Sequence, residues 1–182
     1  MARVDRDSGL LEQVIDLRWP NKVTKGGRTL SVAALVAVGD GAGRVGLGYG
    51  KAKGVPAAIE KASKEARAEM ERMYMVGDTI GHEVVGRQDS TRVKMMPAHP
   101  GTGVKAGGTV RAVLEVLGVR NVLTKVYGST NSVNVAKATM NALRKLRSAE
   151  RISELRGVPV TLHHPQAEQE AEEPQEAEPE AE

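Results

Sequence analysis

The first third of the chain alternates apolar runs with glycine-rich turns. In residues 11–23, apolar and polar side chains alternate imperfectly, which predicts a strand with Pro20 at an edge or a bulge. Residues 30–38 are apolar and rich enough in β-branched side chains for a buried strand, and residues 44–49 predict another strand after a turn at residues 39–43. We therefore expect a three-stranded antiparallel meander.

A helix is expected directly after this meander. Pro56 suits a first helical turn, where its missing N–H costs least. Apolar residues then recur at spacings of three and four, which places them on one helical stripe: Ile59, Ala62, Ala66, Met70 and Met73. A meander and one amphipathic helix form a complete small α+β unit.

A second unit follows a boundary at residues 76–78. Residues 79–87 and 92–96 predict a hairpin around residues 88–90, and residues 109–117 predict a short helix. A strand at 121–127 and a helix at 131–147 complete a ββαβα unit. The fold class is thus α+β with two small domains, at 10–73 and 79–147. Around them lie a flexible N-terminus (1–9), a linker (74–78), an extension (148–165) and a disordered acidic tail (166–182).

Charge separates the acidic tail from the rest of the chain. The net charge is only +3, but residues 166–182 hold eight Glu and no Lys or Arg. Without those glutamates, 26 basic side chains face 15 acidic ones, which gives +11 for residues 1–165. Such an excess favours a polyanionic partner, nucleic acid or a membrane surface.

The residue composition argues against a catalytic function. There is no cysteine, which excludes disulfides and thiolate chemistry, and no apolar run of about 18 residues that could span a membrane. The histidines (His82, His99, His163 and His164) show no helical metal-ligand spacing with a carboxylate. The charged residues 1–7 are not followed by an apolar segment, so we do not expect a secretory signal. We expect an intracellular, soluble protein that is not an enzyme and needs no cofactor or metal.

Residues 41–46 (GAGRVG) match the dinucleotide-binding fingerprint formally. That site needs its third glycine to open a helix, whereas Gly46 is followed by a strand pattern. We therefore interpret the segment as a hairpin and a strand. Gly46, Gly48 and Gly50 alternate and so share one strand face, which leaves two alternatives: tight packing under the helix, or a smooth face against RNA.

Basic residues surround a glycine pair near the start of the first unit. Lys22, Lys25 and Arg28 flank Gly26 and Gly27, and exposed N–H groups with flexible cations suit phosphate oxygens. The aromatic residues are few and scattered, which favours structured RNA recognised by shape over stacked single strands. At the last helix, a polar cluster indicates capping, phosphate binding, or both. The candidate RNA-binding residues are Lys22, Lys25, Gly26, Gly27, Arg28, Arg44, Lys51, Lys53, Ser129, Thr130 and Asn131.

Two long segments resemble a known family, the small-subunit ribosomal protein S-five family of bacterial type, over residues 10–147. They are KVTKGGRTLSVAALVAVGDGAGRVGLGYGKAKGVPAAIEKA and PGTGVKAGGTVRAVLEVLGVRNVLTKVYGSTNSVNVAKATMNAL. The resemblance implies a variant of the double-stranded-RNA-binding fold in the first domain and a left-handed crossover in the second. It implies binding to 16S rRNA at the junction of head and body, contacts with proteins S-four and S-eight, an influence on decoding accuracy, and a place beside the channel through which messenger RNA enters.

The resemblance also assigns particular positions. Residues 22–28 match an RNA-contacting loop linked to spectinomycin sensitivity. An accuracy-linked surface facing S-four matches Gly101, Thr102, Gly103, Lys105, Gly107, Gly108 and Arg111. This chain departs from the family pattern at Trp19-Pro20-Asn21, at Leu30-Ser31-Val32, where the family often has Phe, and at Ser132, where it often has Pro. The alternative function is a free-standing regulator that binds double-stranded RNA, and the expected location is the cytoplasm.

Overall fold

A computed structural model describes residues 3–4 and 9–159 of the 182-residue chain. The acidic tail, His163 and His164 lie outside the described residues. The elements in chain order are β1 (Arg3–Val4), β2 (Leu11–Arg18), β3 (Asn21–Thr24), β4 (Gly27–Leu30), β5 (Val32–Gly39), β6 (Arg44–Ala52), α1 (Val55–Ala68), β7 (Glu71–Arg72), β8 (Val84–Gln88), β9 (Thr91–Pro97), β10 (Val104–Lys105), α2 (Gly108–Leu117), β11 (Val122–Tyr127), α3 (Ser132–Leu143) and α4 (Ala149–Arg156).

The predicted meander is present as the antiparallel strands β2, β5 and β6, within a sheet of order β1-β2-β5-β6-β7. The single strand predicted over residues 11–23 is wrong, because β2 ends at Arg18 and the chain then leaves the sheet. β3 and β4 pair only with each other, as a two-stranded ribbon. Leu30, predicted to be buried, belongs to that ribbon and is 65% exposed. We had also interpreted residues 25–28 as the turn, but it occupies residues 25–26 and β4 begins at Gly27.

Two hydrogen bonds donated by Ser31 explain why the ribbon separates from the sheet. Both its N–H and its hydroxyl donate to the carbonyl of Pro20, at 3.3 and 3.0 Å. These two bonds close the base of the ribbon. The apolar pattern of residues 30–38 does not reveal this closure, because it depends on a contact eleven residues away.

The glycines of β6 allow α1 to lie directly on the sheet. A Cβ atom at Gly46, Gly48 or Gly50 would collide with the carbonyl oxygens of Ala66, Ala62 and Ala58, respectively. Two residues along a strand advance about 6.7 Å and four along a helix advance about 6 Å, so the two rows stay in step. Of the two alternatives, tight packing under the helix is therefore confirmed, and the glycine face is not open to RNA.

The predicted helix begins as expected but ends early. Pro56 lies in the first turn of α1, and the stripe residues Ala62 and Ala66 are buried. The helix ends at Ala68, so Met70 and Met73 lie beyond it. Met73 instead enters the core shared with the second unit.

The second unit contains a four-stranded sheet of order β10-β11-β9-β8, covered on one face by α3, with α2 packed against α3 and the first sheet. The predicted hairpin and both helices are present, although α3 ends at Leu143 and β8 begins only at Val84. Sequence analysis missed β10, which pairs parallel with β11 across the α2 connection. The hand of that crossover stays a prediction. It also missed α4, which buries no side chain and so shows no apolar stripe.

The two units share one hydrophobic cluster. Ala37, Val45 and Met73 from the first unit pack with residues such as Leu114 and Leu117 of α2. The loop at residues 41–43 also binds the end of this helix: the N–H groups of residues 41 and 43 donate to the carbonyls of residues 116 and 117, at 3.1 and 3.0 Å. The fingerprint-like segment is thus a hairpin loop that caps a helix, followed by a strand.

Among the described residues, no helix is both long and apolar enough to cross a bilayer.

Candidate nucleic-acid interface

The ribbon of β3 and β4 is exposed along its whole length. Its register pairs Lys22 with Thr29 and Val23 with Arg28, so Lys22 and Arg28 lie on opposite ribbon faces, and Lys25 lies in the connecting turn. No carboxylate of the described residues lies within salt-bridge distance of these three cations. The ribbon is therefore a narrow finger with free positive charge on both faces and at its tip.

The Arg28 face of the ribbon is also apolar, which sequence analysis did not anticipate. Val23 and Leu30 lie on it and are 71% and 65% exposed, and Trp19 at the ribbon base is 62% exposed. Exposed apolar groups beside cations are typical of an interaction surface. The signal in the sequence was the β-branched and leucine residues flanking the glycine pair, which we had assigned to the sheet.

Lys51 and Lys53 lie near the base of the ribbon. Ser31 closes the base, and the next residue, Val32, pairs with Ala52 of β6. Both lysines flank Ala52 and are exposed. The structure therefore brings these predicted residues together with the ribbon.

A polar link connects the ribbon base to the start of α3. Arg18 donates to Asp16 at 2.8 Å and to the Ser132 hydroxyl at 3.1 Å, and that hydroxyl donates to Asp16 at 2.6 Å. The hydrogen bond from Ser132, helped by Arg18 and opposed by burial, lowers the pKa of the Asp16 carboxyl below its usual value. A proline at position 132 could not form this link, because it has no hydroxyl group.

This link places the Ser129–Asn131 segment close to the ribbon base. Asn131 is the cap residue of α3, but its side chain makes no capping hydrogen bond. Within residues 9–159, the Ser129 hydroxyl accepts from the N–H of Asn131 alone, at 3.3 Å. Capping by these side chains, one of the two predicted roles, is therefore not what the helix start shows, and phosphate binding by residues 129–131 stays a prediction.

Arg44 does not belong to this group. It lies at the first residue of β6, and Lys51 lies near the last, so about 23 Å of strand separates them. Arg44 instead faces Arg72 of β7 across the ladder. The sequence analysis named it among the candidate RNA-binding residues, but the topology puts it at the opposite end of the sheet.

The predicted protein-facing residues form a separate, ordered surface. The N–H of Gly103 donates to the buried Asn121 side chain at 3.1 Å, and Arg111 donates to the Val104 carbonyl at 3.3 Å. Lys105 lies in β10, and Gly107 caps α2. A Cβ atom would meet nothing within 4 Å at any of the four glycines of this loop. β11 runs from this loop toward residues 129–131, a span of roughly 20 Å.

His82 has a structural role. Its Nδ1 lies 2.9 Å from the Glu83 carbonyl and so donates to it, while Nε2 accepts from the N–H of Arg147 at 3.3 Å. Both ring nitrogens are therefore occupied by backbone groups, as expected for a lone histidine outside a catalytic site.

Comparison with known proteins decides the family. The family model described as "Ribosomal protein S5, N-terminal domain" matches residues 10–74, and the one described as "Ribosomal protein S5, C-terminal domain" matches residues 86–156. The chain belongs to the ribosomal protein S5 family. Members of this family are structural rather than enzymatic proteins, so the resemblance and the expectation of a non-enzyme are both confirmed.

Individual relatives are similar in sequence to this chain along most of their own length. The proteins named "Small ribosomal subunit protein uS5" from Idiomarina loihiensis and Psychromonas ingrahamii are 52% and 51% identical over 161 residues, which cover 88% of this chain and 97% and 96% of theirs. The protein of that name from Rubrobacter xylanophilus is 52% identical over 160 residues, 87% of this chain and 80% of its own.

Proposed function

We propose that the protein is a structural constituent of the small ribosomal subunit and binds 16S rRNA through the ribbon end of the molecule. Membership of the S5 family supports the subunit assignment. The observation that carries the RNA site is the ribbon itself: three free cations project on a finger that no other part of the described fold covers. Lys51, Lys53 and the start of α3 broaden this surface at its base.

The chemistry at this surface is positional. Cations neutralise phosphates and displace counterions, so binding weakens as salt rises. The ribbon base is fixed by the Pro20–Ser31 bonds and by the Asp16–Arg18–Ser132 link, so little order has to be created when RNA binds. The location that follows is the ribosome in the cytoplasm.

The finer proposals come from the family resemblance. They place the ribbon at the junction of head and body, where changes at residues 22–28 alter spectinomycin sensitivity. The loop at residues 101–111 faces S-four and influences decoding accuracy, and other surfaces meet S-eight and line the messenger channel. Gly107 and Gly108 support a closely approaching neighbour, because both are exposed at ordinary φ and the fold leaves open space at each of them.

Sedimentation of tagged variants tests the RNA site. Wild type is expected to travel with small subunits through a sucrose gradient at low and moderate salt. The variant Lys22→Gln, Lys25→Gln, Arg28→Gln should leave the subunit fraction at lower salt, because three phosphate contacts contribute about 2.7 to the slope of log K against log salt.

A control variant changes the same number of charges elsewhere: Lys61→Gln and Lys64→Gln on α1 with Arg156→Gln on α4, all exposed. It should sediment as wild type. If the ribbon variant and this control leave the subunit at the same salt concentration, the ribbon is not the RNA site. If wild type stays at the top of the gradient throughout, the subunit assignment itself is wrong.

A further inference from the structure

The sheet of the second unit has one covered face and one open face. α3 packs on the face that contains Gly86, Val93 and Met95, where a Cβ at Gly86 would collide with the Ala138 carbonyl. Side chains of the opposite face are exposed or half-buried at the alternate positions of β8, β9 and β11. We call the part of it formed by Val85, Arg87, Arg92, Lys94, Lys125 and Tyr127 the open sheet face.

Like charges lie directly opposite one another on the open sheet face. The register pairs Arg87 with Arg92 across β8 and β9, and Lys94 with Lys125 across β9 and β11. Directly opposed like charges destabilise a sheet. Only Lys94 has a carboxylate partner among the described residues, Glu83 at 2.8 Å. Arg87, Arg92 and Lys125 have none there, so the arrangement favours a polyanion that the isolated fold does not supply.

An aromatic ring completes the same surface. Tyr127 follows Arg92 in the row across the sheet, and it is 52% exposed. It also lies diagonally across from Lys94 on the same face, because Lys94 pairs with Lys125, two residues before Tyr127 on β11. A ring that is free on one side and surrounded by cations can stack on a nucleobase while its neighbours bind phosphates.

We propose that the open sheet face binds a single-stranded RNA segment, with Arg87, Arg92 and Lys125 on its sugar-phosphate backbone and one unpaired base on Tyr127. The cations alone would equally suit an acidic peptide, but the exposed ring among them favours nucleic acid. A paired base could not reach the ring, so an unpaired strand fits better than a duplex. The inference rests on the proposed function only in taking RNA as the partner, and it uses none of the ribbon residues.

The test measures RNA binding to the full-length protein by fluorescence anisotropy between about 50 and about 200 mM salt. The probes are an oligouridine of about twelve nucleotides and an RNA duplex of about 16 base pairs. The variant Arg87→Gln, Arg92→Gln, Lys125→Gln should flatten the oligouridine slope of log K against log salt by roughly 2, since each single-strand contact contributes about 0.7. The Lys61, Lys64 and Arg156 control should leave the slope unchanged.

The ring is tested separately from the charges. Tyr127→Ala should weaken oligouridine binding by roughly fivefold or more with no change in slope, and leave duplex binding unaltered. Tyr127→Phe keeps the ring and should bind as wild type. All these side chains are exposed, and equal melting temperatures would verify that each variant is folded.

Several outcomes would overturn the inference. One is an unchanged slope in the triple variant, and another is equal binding by Tyr127→Ala and wild type. A third is loss of binding to a polyglutamate peptide with no loss of binding to RNA, which would assign the face to an acidic protein. The ribbon variant separates this inference from the proposed function, because it should lower subunit association and leave the Tyr127 effect intact.

Discussion

At the scale of single residues, glycines in this chain serve two opposite purposes. Gly48 lies under α1, where a Cβ would collide with the Ala62 carbonyl, whereas a Cβ at Gly26 would meet nothing within 4 Å. We expect Gly48→Ala to lower the free energy of unfolding by about 2–3 kcal/mol, because helix and sheet must move apart. Urea denaturation measures this change.

Gly26→Ala is the matched control for the Gly48 variant. Its backbone φ is not in the left-handed region, and its surroundings are open, so its midpoint should stay near that of wild type. Equal midpoints for the two variants would show that the close contact under α1 contributes nothing to stability.

The sequence predicted the shared face of Gly46, Gly48 and Gly50 but not what covers it. The missing information was the helix row Ala58, Ala62 and Ala66, spaced by four, whose small side chains are the counterpart of the glycines. Periodicity had placed two of these alanines on the buried stripe. It could not show that helix and strand advance at nearly equal steps, because that match exists only once they are packed.

At the scale of elements, α2 begins with a glycine, a residue that does not favour a helix. Gly108 is its first residue, its φ is ordinary, and a Cβ there would meet nothing within 4 Å. We expect Gly108→Ala to raise the free energy of unfolding by up to about 1 kcal/mol, because alanine is the better helix former. The same change should weaken association with small subunits if a neighbour approaches this loop closely, and sedimentation measures that association.

Glu115→Ala supplies the control for Gly108, since it is exposed on the same helix but lies away from the loop. It should leave subunit association unaltered. If Gly108→Ala associates as well as wild type, close approach at this loop is wrong. If the variant is instead less stable, the free space around Gly108 does not exist in solution.

Most elements were predictable from local pattern, whereas the ribbon depends on distant contacts and α4 was missed despite its local signals. The meander strands, the three larger helices and the second hairpin follow from periodicity and turn residues. The ribbon does not, because the Ser31–Pro20 bonds that define it form only after the chain has folded back. α4 has local signals that could have revealed it: Ser148 caps it, accepting from Arg151 at 3.2 Å, and Gly157 ends it in the left-handed conformation.

At the scale of the whole molecule, polar contacts reinforce the shared core of the two units. Glu71 of β7 receives two hydrogen bonds of 2.7 Å from Arg144, just beyond α3. The Arg144 hydrogen bond, opposed by slight burial, lowers the pKa of Glu71 below its ordinary value of 4.5. This pair and the Asp16–Ser132 link each join the first unit to an end of α3. The ribbon base and the loop at residues 101–111 therefore belong to one packed body, whose two units are joined by the shared core and by these polar contacts.

The Glu71–Arg144 pair makes stability depend on pH. The pKa of Glu71 is lower in the folded state than in the unfolded chain. The stabilisation of the fold by this pair is therefore present at pH values above the ordinary pKa, and it is lost as pH falls through the folded-state pKa. The two side chains are 45% and 51% exposed, so Glu71→Gln should cost no more than about 1 kcal/mol near neutral pH. Urea denaturation from about pH 7 to about pH 3 should show this difference shrinking toward the acid end as wild-type Glu71 takes up its proton. Glu154→Gln removes a pair that is local to α4 and should change stability less. A difference for Glu71→Gln that persists undiminished at the acid end would mean that the charge on Glu71 does not hold the units together.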